Sequence, residues 1–187
     1  MKLPLFEYLS YLYQVDDWDD KKKELINLLY KQDLIRKELH NFETDRRTND
    51  KSYVPYLAEL LKPELSKFCT EAEITCSMSD AWFVRYQKGD YQTPHNHRSW
   101  GFSGILYLEY DPEVHSPPCF IAPWQDPRTD ETILQHSPIC KEGMLLIVPS
   151  STLHFVTPTT TDKQRIVLAF DLLPDLPSHQ SINNDDK

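Results

Sequence analysis

Three of the seven histidines in this 187-residue chain have neighbours that suit metal chemistry. His95 and His97 stand at i and i+2 in TPHNHRSW. On a strand, that spacing points both imidazoles to one face. His154 follows an apolar, strand-like segment in EGMLLIVPSSTLHFV, and closure of a β-barrel would bring it beside the pair. Neutral imidazole is the commonest transition-metal ligand and suits Fe, Zn, Cu or Ni. Taken alone, H-x-H is a weak signal that more often marks histidines solvated or satisfied within a core. The other four are read differently. His40 near a helix end and His179 in the tail are expected in solvent, and His136 lies in a polar stretch. His115, in DPEVHSPP, could overhang a barrel mouth.

Arg165 opens RIVLAFDL, eleven residues after His154. On a strand, Arg165, Val167, Ala169 and Asp171 share one face, and Ile166, Leu168, Phe170 and Leu172 form the natural apolar face. An arginine on the small-residue face either reaches into a barrel lumen, where its fork suits bidentate binding of a carboxylate, or edges the barrel and pairs with a surface acid. Around these residues cluster Trp82, Tyr86, Tyr91, Trp100, Phe102, Tyr107 and Trp124, mostly as expected wall packing. Arg98 and Trp100, beside the histidine pair, are candidate substrate contacts or loop anchors.

Two patterns of sequence must position these groups, and they meet near residue 72. Before it the period is helical. Asp16 or Asp17 can cap a helix whose stripe is Leu25, Leu28, Leu29, Ile35 and Leu39. A polar loop over 43–52 separates it from a second helix with Tyr56, Leu57, Leu60 and Leu61 on one face, and Pro63 opens a further short turn. After residue 72 the period becomes two. Strands are expected at 81–87, 102–110, 118–122, 132–135, 144–148, 152–156 and 165–172, punctuated by Lys88-Gly89-Asp90, Asp111-Pro112 and Glu142-Gly143. Helices followed by many short strands predict an α+β, mainly β architecture: an antiparallel barrel or jelly roll with N-terminal helices packed on one face. Residues 1–173 are read as a single domain, with a helical part at 1–71, a β core at 72–173 and a flexible tail at 174–187.

Length and composition set the outer bounds. The chain can bury one good core, and fourteen prolines against four glycines favour rigid turns. A formal net charge of -9 argues against a nucleic-acid partner. No 18-residue apolar run is present and the N-terminus lacks a signal-peptide pattern, so the expectation is a cytoplasmic protein without membrane association, monomeric or homodimeric. Cys69, Cys76, Cys119 and Cys140 make no C-x-x-C pair and are expected as reduced, packed thiols rather than a zinc ribbon.

Taken together, Tyr86, Gly89, His95, His97, the SGILYL strand, Glu142-Gly143, PSSTLH ending at His154, and Arg165 resemble the Fe(II)/2-oxoglutarate-dependent oxygenase superfamily over residues 81–172. The resemblance is to its prolyl-hydroxylase-like branch, and within that to small oxygenases of marine bacteria and phages. It implies a double-stranded β-helix, Fe(II) as metal and 2-oxoglutarate as cosubstrate. It also implies an H-x-D/E…H metal motif matched by His95 and His154, a cosubstrate carboxylate held by Arg165, and a cosubstrate contact from Tyr86. The implied reaction hydroxylates a small-molecule or peptide substrate while 2-oxoglutarate becomes succinate. Two positions depart from the pattern. His97 stands where the family has a carboxylate, and Val167 stands where a hydroxyl residue often accompanies the arginine. The first departure opens other readings: a cupin-like three-histidine dioxygenase independent of 2-oxoglutarate, or a non-enzymatic barrel that binds metal or a small acid. Asp90 and Glu109 are the nearest acids in sequence, but neither has the motif spacing, so both are expected to be solvated or structural.

Overall fold

A computed structural model of the chain describes residues 9–36, 41–48, 50–137 and 140–175. Its elements in chain order are β1 (Tyr11–Gln14), α1 (Trp18–Leu29), β2 (Ile35–Arg36), β3 (Glu43–Thr44), α2 (Val54–Leu60), α3 (Lys62–Glu71), β4 (Cys76–Tyr86), β5 (Gln92–His95), β6 (Phe102–Glu109), β7 (Cys119–Gln125), β8 (Thr132–His136), β9 (Met144–Pro149), β10 (Leu153–Val156) and β11 (Arg165–Pro174). Two antiparallel sheets result. The larger has the order β1-β9-β6-β11-β4-β3-β2 and the smaller β5-β10-β7-β8. This is the expected jelly-roll arrangement, a double-stranded β-helix.

Strand alternation divides the apolar residues into two cores. Phe83, Leu106, Leu108, Leu145, Ile147, Ile166, Leu168 and Phe170 face the helices, where Leu25, Leu29, Leu57, Leu61 and Phe68 cover them. Trp82, Val84, Tyr86, Ile105, Tyr107, Leu146, Val148, Val167 and Ala169 face the smaller sheet. Fully burying one such aliphatic or aromatic side chain stabilises by roughly 1.5–3 kcal/mol. Leu168→Ala at the centre of the helix-facing layer should therefore cost about 2–5 kcal/mol, cavity included.

The helical half differs from its sequence reading. α1 ends at Leu29, where Lys31 and Gln32 donate to the carbonyls three residues back; that tighter turn closes the helix. Ile35 instead joins β2 on the edge of the large sheet, and Leu39, like His40, lies outside the described residues. Asp17 is the N-cap but makes no side-chain cap bond. Pro63 opens a ten-residue helix, α3, at a position where its missing N–H costs nothing. Four short strands, β1, β2, β3 and β5, were not among those expected, because two- to four-residue strands leave too little periodicity to detect. The tail expected from 174 lies outside the described residues beyond Asp175; Pro174 still pairs with Cys76. The four cysteines form no disulfide. No helix among the described residues is long and apolar enough to cross a membrane.

Candidate metal centre

The two sheets meet at the histidines. His154 on β10 pairs across to His95 on β5 and to Phe120 on β7, so three strands of the smaller sheet converge at one point. His97 is not on a strand. β5 ends at His95, and His97 sits in the bend that follows. Backbone bonds hold that bend: His97 N–H donates to the Ser150 carbonyl at 3.0 Å, and Ser150 N–H donates to the Gly101 carbonyl at 2.9 Å. Gly101 has φ +85°, and a Cβ there would lie 2.6 Å from the Leu172 carbonyl oxygen; only glycine lets the loop pass so close to β11.

The three rings face one another, with centroids 4.3 Å apart for His95 and His154, 5.5 Å for His95 and His97, and 5.4 Å for His97 and His154. Each Nδ1 is engaged by an oxygen that can only accept: the Thr93 carbonyl at 2.9 Å for His95, the Thr152 carbonyl at 3.0 Å for His154, and Asp171 Oδ1 at 2.9 Å for His97. The proton must then sit on Nδ1, which leaves the Nε2 lone pair of each ring free to bind a metal. One ligand atom from each histidine lies within 4.8 Å of the others. Burial, and then the neighbouring histidines, push the His154 pKa down to about 3, and burial pushes that of His95 down to about 4. Both are neutral at pH 7, the state a metal requires. The donor set therefore fits a divalent transition metal.

Asp171 is the member of this cluster that sequence reasoning passed over. It is buried, and its carboxylate accepts from His97 Nδ1, from Ser103 Oγ at 2.8 Å and from Arg98 at 3.2 Å. Burial alone would raise its pKa, but the bonds from His97 and Ser103 and the Arg98 charge hold it below the ordinary carboxylate value. The signal was in the sequence: the site-facing alternation of β11, Arg165-Val167-Ala169-Asp171, ends on an acid.

That same face carries Arg165, which is 2% exposed. The guanidinium lies 5.1 Å from the Tyr86 ring and 5.4 Å from the Tyr110 ring. One nitrogen donates to the Ser116 carbonyl at 3.0 Å, whereas Nε is buried without any partner. A buried orphan donor of a cation is costly, and a carboxylate would satisfy it. The His triad, Tyr86, Gln92, Val167 and Arg165 line one narrow cavity, with the histidines and the arginine both facing it. Val167 offers no hydroxyl there. Tyr86 Oη instead donates to Gln92 at 2.9 Å.

The remaining candidates fall elsewhere. Arg98 and Trp100 are not part of that cavity wall; Arg98 braces Asp171 from behind, and Trp100 is 46% exposed. Asp90 is structural: it is buried, takes both Arg36 nitrogens at 2.7 Å and accepts from Gln87 N–H. His115 does not overhang the barrel. It is buried with both ring nitrogens bonded, Nδ1 accepting from Asp111 N–H and Nε2 donating to the Lys163 carbonyl. Arg46, unmarked by any motif, stacks 4.1 Å over Trp82, whose ring lies 5.3 Å from His97.

Comparison with known proteins points the same way. Residues 80–171 match a family model described as "Putative 2OG-Fe(II) oxygenase". No sequence match is found among curated proteins. The structure of HygX from Streptomyces hygroscopicus with nickel, 2-oxoglutarate and hygromycin B bound is similar at TM-score 0.67 and 12% identity, covering 89% of this chain and 83% of that one. The viral collagen prolyl hydroxylase of Paramecium Bursaria Chlorella virus-1, in complex with 2OG, is similar at TM-score 0.59 and 16% identity, covering 90% and 96%. A prolyl-4-hydroxylase from Pseudomonas putida aligns at TM-score 0.55 and 14% identity, covering 88% and 92%. Over residues 80–171 the chain is similar to the 2OG-Fe(II) oxygenases, its fold is the one those solved structures share, and its three histidines form a donor set that could hold the metal of that family.

Proposed function

We propose that the chain hydroxylates a small-molecule or peptide substrate, with His95, His97 and His154 as the metal ligands and Arg165 as the anchor of the far carboxylate of 2-oxoglutarate. The observation that carries this reading is the pairing of donors across one cavity: three Nε2 atoms freed by fixed Nδ1 bonds, and the unsatisfied Nε of Arg165. When bound, Fe(II) with 2-oxoglutarate supplies dioxygen activation, with succinate and carbon dioxide as the coproducts. Three protein ligands leave open positions for cosubstrate and dioxygen.

The chain's own residues do the rest. Asp171 fixes the His97 tautomer and places a negative charge behind it, so the anion that the family motif carries on the ligand stands here one residue further out. The apolar walls Val84, Ile105, Val156 and Val167 exclude water. The Tyr86 and Tyr110 faces hold the Arg165 guanidinium in place. The cavity encloses about 30 Å³, so a dicarboxylate must open it on entry.

Anaerobic titration with Fe(II) and 2-oxoglutarate tests the reading. A metal-to-ligand charge-transfer band in the visible and succinate release under air are expected, and their absence sinks it. Arg165→Ala should abolish measurable 2-oxoglutarate binding while leaving metal affinity unchanged. A three-histidine dioxygenase that ignores 2-oxoglutarate would show no dependence to lose.

A further inference from the structure

A second, larger space opens beside the metal centre, about 410 Å³ in volume, between β7 and β8 of the smaller sheet and β9 of the larger. That volume suits a drug-sized ligand. We infer that this cleft binds the substrate and that the substrate is uncharged and largely apolar; the inference rests on the oxygenase reading above.

Two observations carry it. The first is continuity with the metal centre. Phe120 lines the cleft, pairs with His154 in the β7–β10 register, and lies with its ring 5.9 Å from the His154 ring. Asn96, between His95 and His97, lines it too, as does Thr152, whose carbonyl fixes the His154 tautomer. A ligand in the cleft is therefore walled by the residues that carry or orient the histidines. The second is charge. About a quarter of the chain is Asp, Glu, Lys or Arg, yet none of these lines the cleft among the described residues. Ile133, Val148 and Leu153 supply apolar surface, and Asn96 and Gln135 supply uncharged donors and acceptors. A carboxylate, phosphate or ammonium moved into such a wall would lose its hydration with no Asp, Glu, Lys or Arg to pair with; the His136 imidazole is the one ionisable side chain in the lining among the described residues. A hydroxyl, ketone or amide would find partners.

The test uses a matched pair of fluorescent probes, uncharged N-phenyl-1-naphthylamine and its 8-sulfonate, on the full chain loaded with Ni(II) and 2-oxoglutarate. The uncharged probe is expected to bind at one per chain and at least tenfold tighter than the sulfonate. Ile133→Glu, on the solvent-exposed edge strand β8, should weaken that binding at least tenfold and leave Ni(II) and 2-oxoglutarate affinities within twofold. Gln135→Glu changes one atom group without changing shape; it should weaken binding at least threefold, and it decides the matter should Ile133→Glu fold poorly. In parallel samples loaded with Co(II) or with diamagnetic Zn(II) in place of Ni(II), the NMR relaxation rates of the bound probe's ring protons should be severalfold higher with Co(II), as a cleft joined to the metal requires. Equal or tighter binding of the sulfonate, no binding of the uncharged probe, no effect of either variant, or no paramagnetic relaxation each overturns the inference. Failure of Ni(II) or Co(II) to bind at all would instead overturn the metal-centre reading, which titration without the probe shows separately.

Discussion

Asp171→Asn is the sharpest perturbation of this site, because it removes one charge and almost no volume. Asp171 is 1% exposed and receives three hydrogen bonds, from His97, Ser103 and Arg98. The amide oxygen of Asn can still accept from one donor, so packing survives, but the charge-assisted character is lost. A bond to a buried charged group contributes about 1.5–3 kcal/mol, against about 1 kcal/mol for a neutral one. The Arg98 arm is a third exposed and adds at most about 0–1 kcal/mol after solvent screening. The difference is about 0.5–2 kcal/mol at the His97 bond and up to about 3 kcal/mol with the Arg98 arm, a range that contains the roughly 10- to 100-fold loss of metal affinity usual for outer-shell carboxylates. The measurement is a competition titration of Co(II) against a chelator, followed by the visible ligand-field bands, with near-ultraviolet circular dichroism as a check on folding. Arg98→Gln, which removes only the exposed arm, should change affinity by less than about threefold. A Co(II) affinity for Asp171→Asn within threefold of the parent would refute the claim that Asp171 carries the missing charge of the motif.

Further outcomes follow from the same geometry. His97→Asp alone sets a new carboxylate towards Asp171 without the intervening imidazole, so it should bind Co(II) more weakly at pH 7 than the double variant His97→Asp/Asp171→Asn, which has one acid as in the family motif; titration of both orders them. His95 and His154 have folded pKa values below the ordinary histidine value of 6.5, at about 4 and about 3. The unfolded chain therefore binds more protons between those values, and the stability they contribute, full above pH 6.5, is lost as pH falls towards 4 and then 3. With two protons involved, the slope in denaturant melts of metal-free protein should approach about 2.7 kcal/mol per pH unit at its steepest, and a pH-independent stability between 6.5 and 4 would contradict it. Their low pKa values also mean that protons do not compete with Co(II) for these two rings between pH 8 and pH 6. Gly101→Ala forces a Cβ against the Leu172 carbonyl at 2.6 Å in a left-handed backbone; it should shift the His97 loop and lower both melting temperature and metal affinity.

Much of the site was legible because strand alternation is a local property. Residues 165–172 announce which side chains share a face before any partner strand is known, and the structure places Arg165, Val167, Ala169 and Asp171 together between the sheets. The seven expected strands all form, with edges moved by a few residues, since each is long enough to show its period. The sequence by itself also determined that His95, His97 and His154 were the histidines to watch, through the motif they resemble. Only the tertiary structure decided what each does. His97 leaves the strand its spacing suggested, because Gly101 and Ser150 turn the chain away. Asp171 meets it across 74 residues of sequence, a separation over which no local pattern reports. The helical half was the least legible part: β1, β2 and β3 are too short to leave a period, and they exist because the edges of a large sheet offer unpaired backbone groups that a passing segment can satisfy. Faces follow from the order of residues along one strand. Neighbours depend on which strands come to lie side by side, and that is settled by the packing of the whole chain.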